Sequence, residues 1–145
     1  VANSQKLAHH IEANEFFVRL AVDANAGGWM LSEWYGERTC HQIFSGVVVA
    51  DGYGVLERPG RAPLHLLIEL DRGTEASARL LKKAEDYALM LPHTGLRELD
   101  PIVLFLAPSA RRAETIRAVV RDALAPLAVA VWSAASTGSV LDVIP

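Results

Sequence analysis

The chain has 145 residues, about half apolar and a fifth charged, which suits one soluble domain with a proper core. A net charge of −3 excludes a domain that lives by strong non-specific nucleic-acid binding, though not a local basic patch or a separate DNA-binding domain. A single cysteine, Cys40, excludes an internal disulfide, no Cys/His set has zinc-site spacing, and a reducing, cytoplasmic setting is the expectation.

The first predicted element is a helix over Asn3 to Asn25. Ala13, Phe16, Phe17, Leu20 and Ala24 share one arc, while Leu7, Ile11 and Val18 form a second apolar stripe, a pattern that predicts burial on two sides. His10 and Asn14 stand at i,i+4 between the stripes. They read as a satisfied core pair or as polar groups bordering a site. Gly27-Gly28 ends the helix. Trp29 to Tyr35 is a strand, Glu37 to His41 a loop, and Ile43 to Glu57 a pair of strand segments or one bent strand. Val47, Val49 and Asp51 share a face there, and Gly52 and Gly54 permit a bend. Glu57 to Pro63 is a hairpin-type turn.

Leu64 to Asp71 is the strand that follows. Alternation puts Leu64, Leu66, Ile68 and Leu70 on one face and His65, Leu67, Glu69 and Asp71 on the other. Two carboxylates on one face of so apolar a strand are costly to bury unless paired or bound to a cation. The hairpin brings Asp51 alongside them. Thr74 is the expected N-cap of a helix running to about Leu91. At 100° per residue Lys82 points to solvent, whereas Lys83 lies at the edge of the apolar arc beside Arg79 and Tyr87 and can lean back toward the sheet. Pro92 to Pro101 is loop, Ile102 to Ala107 a buried strand, and Ala110 to Ala125 an amphipathic helix whose Arg111, Arg117 and Arg121 face away from the core. Ala128 to Trp132 is a last central strand, and Val140 to Ile144 an expected edge strand. The order predicts one α/β domain, residues 1–145, with a mixed sheet flanked by helices. Nothing in the chain predicts a membrane partner: the run from Ala123 to Trp132 is too short to cross a bilayer and is broken by Pro126.

An Asp on the second strand, Asp51, with Glu69-x-Asp71 on the third and Lys83 on the next helix, resembles the PD-(D/E)xK nuclease superfamily. Ala50 replaces the usual proline and Asp71 the usual lysine, so Lys83 would supply the amine from the helix. The fold this implies is restriction-endonuclease-like, a three-layer α/β/α sandwich in the order α-β-β-β-α-β-α-β. A second resemblance is to the replication-relaxation family of plasmids and related elements. It is carried by His10-x-x-x-Asn14, Trp34, Asp51-Gly52, Glu69-Leu-Asp-Arg-Gly-Thr-Glu75 and Lys83-x-x-x-Tyr87. That family implies a role in plasmid replication and DNA relaxation, with DNA as partner. Many of its members carry an N-terminal winged-helix region, and a chain opening on Val1 reads as the C-terminal part of a longer protein.

Two functions remain open on these residues. In the first, a metal-dependent DNA phosphodiesterase nicks or cuts DNA: Asp51 and Glu69 ligate Mg²⁺ or Mn²⁺ and Lys83 steadies the water or the developing charge. Asp71 is a further ligand or the partner of Lys83 or Arg72, and His10, Asn14, Arg72, Arg79 and Tyr87 border the site. In the second, Glu69, Asp71, Arg72 and Lys83 form an internal ion-pair network in an inert module that forms a homodimer or docks replication machinery. A nucleotide-binding enzyme lacks its loop, since no Gly-x-x-x-x-Gly-Lys occurs and Gly52-Tyr-Gly54 wants a third glycine.

Overall fold

The computed structural model describes residues 2–44, 46, 50–125 and 127–145. In chain order the elements are α1 (Ala2–Ala26), β1 (Met30–Gly36), α2 (Glu37–Ile43), β2 (Gly52–Glu57), β3 (Leu64–Leu70), α3 (Ser77–Met90), β4 (Ile102–Ala107), α4 (Ala110–Val120) and β5 (Ala128–Ser133). The strands form a five-stranded sheet in sequence order. β1, β2 and β3 pair antiparallel, whereas β3, β4 and β5 pair parallel and are joined through α3 and α4. The fold is thus α/β with a mixed sheet.

Alternation along the strands fills two cores, one on each face. Leu66 and Ile68 of β3, with Leu104 and Leu106 of β4, pack against Phe16, Phe17, Leu20 and Ala24 of α1. Leu67, Val103 and Phe105 pack on the opposite face against Leu80 and Ala84 of α3 and Ile116 and Val120 of α4. β4 is buried along its whole length, as a central parallel strand must be.

Several expectations need correction. The second apolar stripe of α1 is not buried: Leu7, Ile11 and Val18 are all exposed, as is Val22 beyond them. A helix lying on the outside of a sheet has one face to bury, and Phe16, Phe17 and Leu20 occupy it. The segment read as loop from Glu37 is helix α2, which buries only Cys40 and leads into buried Phe44. α3 starts at Ser77 with Ala76 at its cap, so Thr74 lies in the preceding turn and caps nothing. α4 ends at Val120 rather than continuing to Ala125. The expected edge strand from Val140 is a short 3-10 turn, Val140–Val143. There the Ser139 hydroxyl accepts from the Leu141 N–H while the Asp142 carboxylate accepts from the Ser139 N–H, a capping box that winds the chain instead of extending it. The loop from Pro92 contains two more 3-10 turns, Leu91–His93 and Arg97–Leu99. Val47, Val48 and Val49, expected in a strand, lie outside the described residues.

The contact between α1 and the sheet rests on glycine. A Cβ on Gly52 would lie 2.9 Å from the Phe17 ring. That ring is buried and packed against Trp34 with centroids 4.9 Å apart, so it has little room to turn. Gly52→Ala is therefore expected to cost about 1–3 kcal/mol of stability, an overpacking penalty measurable by urea denaturation.

Candidate active site

Antiparallel register brings the acidic residues together. Gly52 sits opposite Ile68, so Asp51, one residue earlier, meets Glu69, one residue later. The Asp51 N–H donates to the Ile68 carbonyl at 3.0 Å, and the Asp51 carboxylate accepts from the Leu70 N–H at 2.8 Å. A third contact comes from the opposite layer, where His9 Nε2 of α1 lies 2.8 Å from Asp51 Oδ1. Asp51 thus links α1 to the end of β3.

Glu69 is buried, with 4 % exposure. It shares the face of Leu67 and meets α3, where the Tyr87 hydroxyl donates to it and Lys83 Nζ lies 3.6 Å away. Burial, and then the neighbouring Asp51 charge, push its carboxyl up to about 8, against the opposing pull of Lys83 and the Tyr87 hydrogen bond. At neutral pH Glu69 therefore holds its proton for most of the time. Burial also drives the Tyr87 hydroxyl well above its ordinary value, with Glu69 adding to the effect.

Lys83 leans back toward the sheet as its position on the helix predicts, and it has two carboxylates in reach. Glu75 is the nearer, with Oε1 at 3.2 Å against 3.6 Å for Glu69. Burial disfavours the charged amine, but Glu69 and Glu75 outweigh it and the amine is held above its ordinary value. Glu75 also accepts a hydrogen bond from Lys83 at 3.3 Å, which makes it the direct counter-charge. Arg79 pairs with Glu75 from the far side at 3.1 Å. Lys82 is solvent-facing and paired to Asp86, as expected.

Asp51, Glu69, Lys83 and Tyr87 line one cleft of about 630 Å³, with Arg79 and Glu37 at its sides. Asp71 takes no part in it. Its side chain is 2 % exposed and held by Arg112 of α4 through Nε at 2.7 Å and Nη2 at 2.9 Å, and the Gly73 N–H donates to it at 2.9 Å. Gly73 makes that turn with φ +80, a conformation costly for other residues. Asp71 is therefore paired neither with Lys83 nor with Arg72. Arg72 instead pairs with Glu12 of α1 at 3.4 Å. His10 and Asn14 are exposed, so they form no core pair, and His10 lines a neighbouring cleft with Lys6, Glu37, Arg38 and His41.

Three residues of this region were missed in the sequence. His9, not its neighbour, faces Asp51. Glu75, inside the acidic string, is the counter-ion of Lys83. Glu37 of α2 brings a carboxylate oxygen within 4.8 Å of ligand atoms of both His9 and Asp51. Cys40 is buried, and burial first, then Asp51, push its thiol up to about 12, far from the range of a reactive thiolate.

No curated protein matches this chain. The family model described as replication-relaxation matches residues 1–99, a span that holds α1, α2, β1 to β3, α3 and every residue of the cleft. The chain belongs to the replication-relaxation family.

Proposed function

We propose that this domain, whose family points to plasmid replication and DNA relaxation, is a metal-dependent DNA phosphodiesterase with a PD-(D/E)xK-like core. The observation that carries this reading is that Asp51, Glu69 and Lys83, from the bend before β2, a strand and a helix, line the same cleft. The donor chemistry fits a divalent cation: two carboxylates face each other across one strand pair, and a cation beside Asp51 would favour the ionised form of Glu69. Bound Mg²⁺ or Mn²⁺ would hold the scissile phosphate and lower the pKa of an attacking water. Asp51 and Glu69 hold the ion, with Asp51 fixed in place by the Leu70 N–H. Lys83, partly exposed and held charged by Glu75, supplies a positive group for the charge that develops on phosphate oxygens. Tyr87 fixes the orientation of Glu69.

With a net charge of −3 the domain has little general attraction for the phosphate backbone. The proposal therefore includes a separate DNA-binding region and accommodates a homodimer. A supercoiled plasmid incubated with Mg²⁺ tests the reading. Wild type is expected to convert it to open circles, and Glu69→Ala to do so at least about 100-fold more slowly, in line with loss of a group that holds a catalytic ion. Equal residual rates in the two proteins would end the proposal.

One observation favours a second reading. Lys83, Glu75 and Arg79 form a continuous ion-pair chain at the mouth of the cleft, as a structural network in an inert docking module would. In that case Glu69→Gln would leave divalent-ion affinity unchanged.

A further inference from the structure

A second donor set meets at Asp51, separate from Glu69's partners on α3. His9 of α1, Glu37 of α2 and Asp51 before β2 each present a ligand atom, and these atoms lie within 4.8 Å of one another. All three side chains are half-buried. They come from three separate elements, so the fold rather than local sequence assembles them. The Glu37 carboxylate takes no hydrogen bond and no ion pair among the described residues, although Asp51 and Glu69 line the cleft with it. A carboxylate brought unpaired toward others raises their mutual repulsion unless a cation joins them.

We propose that His9 and Glu37 complete the cation site at Asp51, making it a mixed nitrogen–oxygen site for a first-row transition ion such as Mn²⁺ in preference to Mg²⁺. The inference rests on the reading of Asp51 as a metal ligand and adds the identity of the ion. Imidazole suits transition ions, whereas Mg²⁺ prefers an all-oxygen shell and retains its waters. His9 Nε2 reaches Asp51 directly at 2.8 Å, so an ion seated between them would replace that hydrogen bond with two ligand bonds. Glu37 closes the third side from α2. A set of one histidine and two carboxylates leaves positions open for water and for a phosphate oxygen.

Titration calorimetry and Mn²⁺ electron paramagnetic resonance on the tag-free protein test this. Mn²⁺ is expected to bind at least about tenfold more tightly than Mg²⁺, and its spectrum to carry coupling to an imidazole nitrogen. His9→Gln removes that coupling and weakens Mn²⁺ about tenfold or more while leaving Mg²⁺ nearly unchanged. Glu37→Gln weakens Mn²⁺ similarly. Because Glu37 holds no internal partner among the described residues, this variant keeps the fold even where His9→Gln does not, and circular dichroism verifies it. Bound Mn²⁺ without nitrogen coupling, and indifferent to Glu37→Gln, overturns the inference. If that ion is still lost in Glu69→Gln, the Asp51–Glu69 reading survives alone. Absence of binding by either ion overturns both.

Discussion

Glu69→Gln is expected to raise the stability of the domain in metal-free buffer, by an amount that grows with pH. In the folded protein the Glu69 carboxyl keeps its proton up to about 8, whereas in the unfolded chain it loses it near 4.5. Between those values the unfolded state binds fewer protons than the folded state, so wild-type stability falls as pH rises through that window. Below it the group is protonated in both states and contributes no difference; above it the loss is complete. For a shift of this size the total is on the order of 5 kcal/mol. Glutamine has the shape of the protonated acid and can accept the Tyr87 hydroxyl, so it escapes the titration. Urea denaturation at pH 5, 6.5 and 8 should show wild type and variant close at the lowest value and well apart at the highest. A gap that stays constant with pH would mean that Glu69 is ionised in the folded state. The same experiment bears on function. A protein that gains stability when an acid is made permanently neutral is one in which that acid is kept for something other than folding.

The second large effect lies at Asp71. Arg112→Ala is expected to destabilise the domain by about 3–5 kcal/mol, because it leaves a carboxylate buried without its counter-charge. Nearly all of the Asp71 side chain is out of water, and Arg112 meets it with two nitrogens while a third bond reaches the Glu75 carbonyl. Removing both charges is predicted to be far milder. The double variant Asp71→Leu, Arg112→Met should recover most of the loss, since hydrophobic replacements of buried ion pairs are often neutral or better. Denaturation midpoints of the three proteins measure this directly. A single variant as stable as wild type would show that the pair is dispensable. Arg112 also braces the segment that carries Glu75, so its removal should loosen the counter-ion of Lys83 as well.

The strand carrying Glu69 was legible because every second residue from Leu64 to Leu70 is apolar, and both faces fill accordingly. The strand Ile102–Ala107 was read to the residue because a wholly apolar run bounded by prolines has few other uses. Lys83 was legible from helical geometry, which separates it from Lys82 by 100°. What escaped was information that is not local. The partner of Asp71 lies 41 residues away on another helix, and no spacing rule connects them. α2 has seven residues and one fully buried side chain, too little for a period to register. His9 and His10 differ by a single step of the helix, and the family resemblance pointed to His10, whereas it is His9 that meets Asp51. Spacing alone did not separate them: His9 is seven residues before buried Phe16 and His10 seven before buried Phe17, so both border the arc, and only the tertiary position of Asp51 distinguishes them. The outer stripe misled because periodicity reports which residues share a face and says nothing about whether anything covers that face.

The seat of Phe17 on Gly52 and Gly54 has a mechanical consequence. With no side chain as cushion, the height of α1 over the sheet is set by contact between an aromatic ring and bare backbone. His9 stands eight residues earlier on the same rod, about 12 Å along its axis. A methyl group at Gly52 would tilt that rod about its fulcrum and carry the imidazole away from Asp51. The hairpin glycines thus gauge a spacing two turns distant, and a variant that looks merely unstable would also open the gap between His9 and Asp51.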